Sequence, residues 1–208
     1  MFRNRTDAGR QLAEHLERRG VTADLVLAIP RGALPVARPV ADALGADLDV
    51  VVARKMGAPD NPELAVGAAA SDGSVYRNDD LIARLGVDEE YLERERRKEA
   101  ENARDKARAY RERPPDVTGK RVVVVDDGVA TGATATACLR QVRDAGASYL
   151  ALAVPVGPPD SIDQLRREAD DVFALETPRD FRAVGAHYRD FGQVSDEEAV
   201  SYLRGGSS

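Results

Sequence analysis

A chain of 208 residues with 43% hydrophobic and 32% charged side chains has enough apolar material for a packed core, and room for one α/β domain with an appendage or two very small domains. A formal charge of −6, from 36 acidic and 30 basic residues with no basic stripe, argues against duplex nucleic acid as a partner. One cysteine and two histidines exclude a disulfide framework and leave little for metal clusters; with no apolar run of about 18 residues and a polar opening from Arg3 to Asp7, the chain is expected to be cytoplasmic and to leave membranes alone.

Residues 7–19 read as a helix with Ala8, Leu12 and Leu16 on its apolar face, Thr6 or Asp7 as cap and Gly20 beyond its end. LVLAI (25–29) reads as a buried strand running into a turn at Pro30-Arg31-Gly32, and 35–44 as a helix stopped by Gly45 despite Pro39. LDVVVA (48–53) reads as a second strand ending at Arg54-Lys55-Met56-Gly57, followed by a loop at Ala58–Pro62. AVGAAA and SVYRN flank Ser71-Asp72-Gly73 as a hairpin. From Asp88 to Arg113 nine acidic and nine basic residues predict a long, solvated helix with one thin packing face. Pairs such as Glu90–Arg94 and Glu93–Arg97 would brace it, and Pro114-Pro115 would end it.

RVVVVDD (121–127) is the clearest strand, followed by a loop at Gly128–Gly132 and a helix over 133–145. Beyond it lie a buried strand at 148–156, a helix at 159–169, a strand at 171–175 and a helix at 195–204, capped by Ser195 with Glu198 at the capping-box position. Apolar strands alternating with helices give an α/β class with a mostly parallel, doubly wound sheet.

The chemistry concentrates in VVVVDDGVATGAT. Four β-branched residues make a strand buried on both faces, and Asp126 and Asp127 follow at its C-terminal end, where open α/β sheets bind ligands. Glycines 128 and 132 allow close backbone approach to an anion, and Thr131, Thr134 and a helix N-terminus add donors. The parts suit a phosphate beside a diol: the loop takes the phosphate, the carboxylates take hydroxyls. The plain alternative is that Asp126-Asp127 only starts a turn, but adjacent like charges repel and call for a cation or hydroxyl donors. The segment lacks the lysine and spacing of a Walker loop and the G-x-G-x-x-G of a dinucleotide site. A receiver-domain acidic pair belongs nearer the N-terminus, and a hydrolase using the same pair lacks a general base.

This segment closely resembles the phosphoribosyl-pyrophosphate (PRPP) motif of type I phosphoribosyltransferases, and chain order elsewhere is similar over most of residues 20–192. The resemblance implies one phosphoribosyltransferase-like domain over 1–208. Its core would be at about 20–55 and 117–175, a mobile lid and inserted helix at about 56–113, and a hood over the base at about 176–208. It implies that Asp126 and Asp127 hold the ribose hydroxyls and, through them or water, Mg²⁺. It implies that Gly128, Val129, Ala130, Thr131, Gly132, Ala133 and Thr134 bind the 5′-phosphate. The turn Pro30-Arg31-Gly32-Ala33, often a non-proline cis peptide in that family, would bind pyrophosphate together with Arg54 and Lys55. Asp126, Asp127 and Lys55 would then carry catalysis: PRPP and a nitrogenous base react with release of pyrophosphate, in an enzyme that is usually a homodimer.

Hypoxanthine-guanine enzymes carry an aspartate where this chain has Ala130, which makes an oxopurine a poorer substrate here. Phe181, Val184, Tyr188 and Phe191 are candidates to line the base, with simple packing of the C-terminal lobe as the alternative, and His187 lies nearby. Of the four lysines, Lys98 and Lys106 fall on the charged helix, Lys120 precedes the motif strand, and Lys55 alone is expected to face the site. Cys138 reads as a core residue. The competing class is a PRPP- or nucleotide-binding sensor on the same fold, although no appended DNA-binding domain or basic RNA face is visible.

Overall fold

Three strands made of little but valine, leucine and alanine have nowhere to go but a sheet covered on both faces, and that is what forms. The computed structural model describes residues 1–111 and 113–205; Glu112, near the end of the expected charged helix, and residues 206–208, at the end of the expected hood, lie outside the described residues. A five-stranded, all-parallel sheet runs in the order β2 (Asp47–Val50), β1 (Leu25–Ala28), β6 (Arg121–Val125), β7 (Tyr149–Val156), β8 (Asp171–Glu176). From β1 the chain steps outward to β2 through α2 (Leu34–Leu44), and from β6 it steps the other way to β7 through α5 (Ala133–Asp144). Right-handed crossovers in opposite directions put α2 and α5 on opposite faces. The strand order therefore reverses between β1 and β6, and a crevice opens beyond their C-terminal ends.

α1 (Arg5–Arg18) packs on α2 and on β7 and β8, so the core takes in residues before 20. Asn4 caps α1, accepting the Asp7 amide, in place of the expected Thr6 or Asp7. Pro39 is accommodated inside α2, and Gly45 ends it in the left-handed conformation. α6 spans Pro159–Leu165, shorter than expected. α7 spans Asp196–Leu203, and Ser195 accepts the Glu198 amide as its cap. Cys138 is buried in the core, and burial raises its thiol pKa.

The largest correction concerns residues 51–62. The second core strand ends at Val50; the chain then crosses to a separate antiparallel sheet of β3 (Ala53–Ala58), β4 (Asn61–Ala70) and β5 (Val75–Arg77). Arg54 and Lys55 thus stand in a strand, the expected hairpin around Ser71-Asp72-Gly73 joins β4 to β5, and the first part of the segment expected as a lid is this sheet. Its small residues have a packing reason: β4 presents alanines to α5 on one side and Val66 and Ala69 to a second apolar cluster on the other. That cluster is completed by Met56, by Ile82 of α3 (Asp79–Leu85) and by Leu92 and Ala100 of α4 (Glu89–Tyr110). α4 is the expected charged helix, capped by Asp88 and braced by Glu93 with both Arg96 and Arg97, each at 2.7 Å. Arg94 lies over the Tyr91 ring instead of pairing with Glu90.

Candidate functional site at the strand-order reversal

Both turns beyond the reversal are tightly built. After β1, the Pro30–Arg31 peptide is cis, as expected for that turn. After β6, the Asp126 side chain accepts the Asp127 amide at 2.8 Å and lies against the Asp127 carboxyl. Burial, then the adjacent Asp127 charge, raise the Asp126 carboxyl well above the usual carboxylate range, and the positive charge of Lys55 opposes this. The two turns meet at Gly32. A Cβ there would overlap Asp127 Oδ2, so only glycine lets the first turn pass the second acid.

The loop after the acids is shaped for an anion. Among the described residues, the amides of Ala130, Thr131 and Gly132 have no protein acceptor, and those of Thr134 and Ala135 sit in the first turn of α5, where no intrahelical partner exists. Val129 is pinned to β7 through its amide, and Ser161 holds the Ala130 carbonyl at 2.6 Å. A cavity of about 160 Å³ brings together Lys55, Asp126, the loop from Gly128 to Ala135, and Val184. Lys55 is exposed, with no hydrogen bond or ion pair among the described residues. It also lines a neighbouring cavity of about 590 Å³ with Pro30, Arg54 and Thr134. Arg54 turns toward α4, its Nε 3.6 Å from Glu99. Arg31 is 3.7 Å from Asp196 of α7.

A sequence model of the phosphoribosyl transferase domain matches residues 3–190, a span that holds both turns, the loop and the lysine between the cavities. The chain belongs to the phosphoribosyl transferase family. Its sequence is 45% identical over 206 residues to a Mycobacterium tuberculosis (strain H37Rv) protein whose name reads "Putative phosphoribosyl transferase". That alignment takes in 98% of this chain and 46% of the relative, so the chain spans about half the length of the curated relatives it matches. Among solved structures, TT1426 of Thermus thermophilus superposes over 100% of both chains with a TM-score of 0.83 and 43% identity. A Neisseria gonorrhoeae protein crystallised with ppGpp shares the fold with a TM-score of 0.51 at 17% identity, over 100% of this chain and 99% of that one.

In this phosphoribosyl transferase domain the expected base-lining residues separate. Val184, in a 3₁₀ turn over Val184–His187, closes on the loop, and a Cβ on Gly128 would come within 2.6 Å of it. Tyr188 does not offer a stacking face: it is 6% exposed, packed against Phe2 and Phe191, and its hydroxyl donates to the Asp127 carbonyl at 2.5 Å. Burial and the nearby Asp127 charge raise its pKa. Phe181 is stacked on His187, which faces Glu176 at 3.5 Å, and Phe191 has the Arg5 guanidinium 3.7 Å from its ring centre.

Three residues hold positions at the site that sequence reading missed (Arg5 and Lys106) or assigned to another role (Tyr188). Arg5, on α1, donates through Nε to Asp127 Oδ2 at 2.7 Å; nothing local marks it, because its partner is 122 residues away. Tyr188 buttresses Asp127 from behind. Lys106, expected on the solvated face of the charged helix, is half-buried, and its Nζ donates to the Pro30 carbonyl at 3.0 Å. A signal for Lys106 existed: it shares a helix face with Ala103 and Tyr110, positions on the apolar stripe.

Proposed function

We propose that this chain binds PRPP and transfers its 5-phosphoribosyl group to a nitrogenous base, releasing pyrophosphate. The observation that carries this reading is the meeting of a cation-bearing turn, two carboxylates and an amide-rich loop at the one place where the strand order reverses. The loop 128–134 would take the 5′-phosphate on its free amides and threonine hydroxyls. Asp126 and Asp127 would accept the ribose hydroxyls, and Arg31, Gly32, Arg54 and Lys55 would take the diphosphate.

In the reaction the C1′–oxygen bond to the diphosphate breaks, a base nitrogen bonds to C1′, and the proton lost from that nitrogen passes to solvent. The two carboxylates would favour the developing positive charge on the sugar, and Arg31 and Lys55 the charge on the departing diphosphate. Val184 and the packed segment behind it would keep water from C1′. The donor set fits Mg²⁺, an ion held by one or two carboxylates together with ligand oxygens and water. Asp126 lines the cavity beside the anion loop, and no group of three His, Cys, Asp or Glu side chains able to hold a metal occurs among the described residues. Bound there with the ligand, Mg²⁺ would neutralise diphosphate charge.

A second reading, binding without transfer, is favoured by one observation: Arg5 already occupies an oxygen of Asp127. One assay separates the two. Purified protein is incubated with PRPP, Mg²⁺ and a panel of purine and pyrimidine bases, and pyrophosphate release is followed alongside PRPP binding by calorimetry. Release with one base, abolished in Asp126→Asn/Asp127→Asn, supports transfer. Binding without release on any base supports the sensor. No PRPP binding overturns both.

A further inference from the structure

The inserted helix α4 carries a cation into the site that the family motif does not contain. Lys106 leaves α4 with its Nζ 3.0 Å from the carbonyl oxygen of Pro30, the first residue of the cis turn. It lines the same 590 Å³ cavity as Arg54, Lys55 and Thr134. Two other cations of that lining are matched by acids that also line it, Arg54 by Glu99 at 3.6 Å and Lys98 by Glu95 at 3.2 Å and Glu99 at 3.4 Å, and Arg31, outside the lining, is 3.7 Å from Asp196. Among the described residues neither Lys106 nor Lys55 makes an ion pair within 4.0 Å; Asp196 and Asp126 act on them from farther away. Of the three protons on its ammonium, one goes to Pro30.

Burial, then the charges of Arg54 and Arg31, push the Lys106 pKa down, with Asp196 opposing. A desolvated ammonium facing two guanidinium groups is held at a cost, in a chain whose net charge is −6. An anion lying between them would attract all three cations and offset their mutual repulsion. The position is defined by main chain on one side and by a helix anchored through its alanine face on the other, so the ammonium is set in place before a ligand arrives.

We infer that Lys106 is a diphosphate-binding residue, so that the inserted helix α4 forms one wall of the substrate site and donates, with Arg31 and Lys55, to the leaving group. This rests on the reading of the site given above. The charged insertion thereby completes the cation set that the turn after β1 leaves open.

The test uses the full chain and two probes that divide the substrate. Inorganic pyrophosphate with Mg²⁺ reports the diphosphate end, and ribose 5-phosphate reports the loop end. Calorimetry is run on the parent, Lys106→Met and Lys106→Arg. Lys106→Met is expected to weaken pyrophosphate binding about tenfold to a hundredfold, the range for one charge-assisted hydrogen bond, while ribose 5-phosphate binding stays within about twofold. Lys106→Arg is expected to recover most of the loss. Unchanged pyrophosphate affinity in Lys106→Met overturns the inference and leaves the PRPP reading intact. Equal loss of both probes also overturns it, by showing that Lys106 only supports the turn. A parent that binds neither probe overturns the PRPP reading, and the inference with it.

Discussion

The Arg5 guanidinium and the Asp127 carboxylate face each other at 2.7 Å with 12% and 15% of their side chains exposed, one from the first helix and one from the loop after β6. A second Arg5 nitrogen donates to the Gly192 carbonyl, and the Phe191 ring lies beneath the group. Arg5→Met keeps the apolar stem and removes the charge, leaving Asp127 beside Asp126 with no counter-ion. We expect a loss of about 3 kcal/mol in urea denaturation, as for other broken buried pairs. In a double-mutant cycle with Asp127→Asn, the coupling should be about 1–3 kcal/mol. Additive effects would show that the pair is incidental.

Gly32 should not tolerate a methyl group. With Asp127 tied to Arg5 and its carbonyl held by Tyr188, a Cβ overlapping its carboxylate oxygen forces the turn itself to move. Gly32→Ala is expected to cost about 1–3 kcal/mol of stability and to abolish pyrophosphate binding measured by calorimetry. Freed from its tie in the Arg5→Met background, Asp127 should yield, and the added cost of the alanine should shrink. Parent-like binding in Gly32→Ala would contradict this geometry.

Asp126 should trade stability against function. Its raised pKa means that the fold disfavours the ionised carboxyl, through burial and the adjacent Asp127. Asp126→Asn removes that cost and keeps an oxygen able to accept the Asp127 amide. Thermal unfolding should rise by about 2–4 °C for each kcal/mol relieved. Pyrophosphate release should fall by about a hundredfold or more. A variant both less stable and inactive would mean that the carboxylate is structural.

Glu93 sets an acid limit on α4. Hydrogen bonds from Arg96 and Arg97 hold its pKa at about 2, against the usual 4.5. A carboxylate depressed on folding contributes above its unfolded pKa, and that contribution is lost as pH falls from about 4.5 through about 2. In Glu93→Gln the helical signal between pH 5 and pH 2 should fall less steeply than in the parent. Because the pair is exposed, the difference should shrink in 1 M salt. Superimposed acid limbs would exclude the effect.

The motif strand and its loop are legible in the sequence because their chemistry is contiguous: Val122 to Thr134 dictates strand, acids, anion loop and helix within one stretch. The strand at Ala53–Ala58 is not. Its register slips twice, between Met56 and Gly57 and between Gly57 and Ala58, which breaks the alternation by which strands are read. The glycine and prolines that read as a loop are a bulge and a tight turn between paired strands. Arg5, Lys106 and Tyr188 act on main chain or carboxylates far away in sequence, so composition and spacing hold no record of what they touch. Only for Lys106 does the helix face carry a hint.

The small sheet and α4 pack around an apolar cluster of their own, joined to the five-stranded sheet through α5 and a few alanines. Asp126 and Gly32 belong to the larger body and Lys55 to the smaller sheet, while Lys106 sits where α4 has passed onto the larger core with Ala103 and Ala107. A ligand reaching from loop to turn would therefore act as a tie between two hydrophobic nuclei, and part of its binding free energy would go into holding them together. Amides of the small sheet should then exchange with solvent faster than those of β6 and β7 in the free protein, and the two sets should approach one rate when the site is filled.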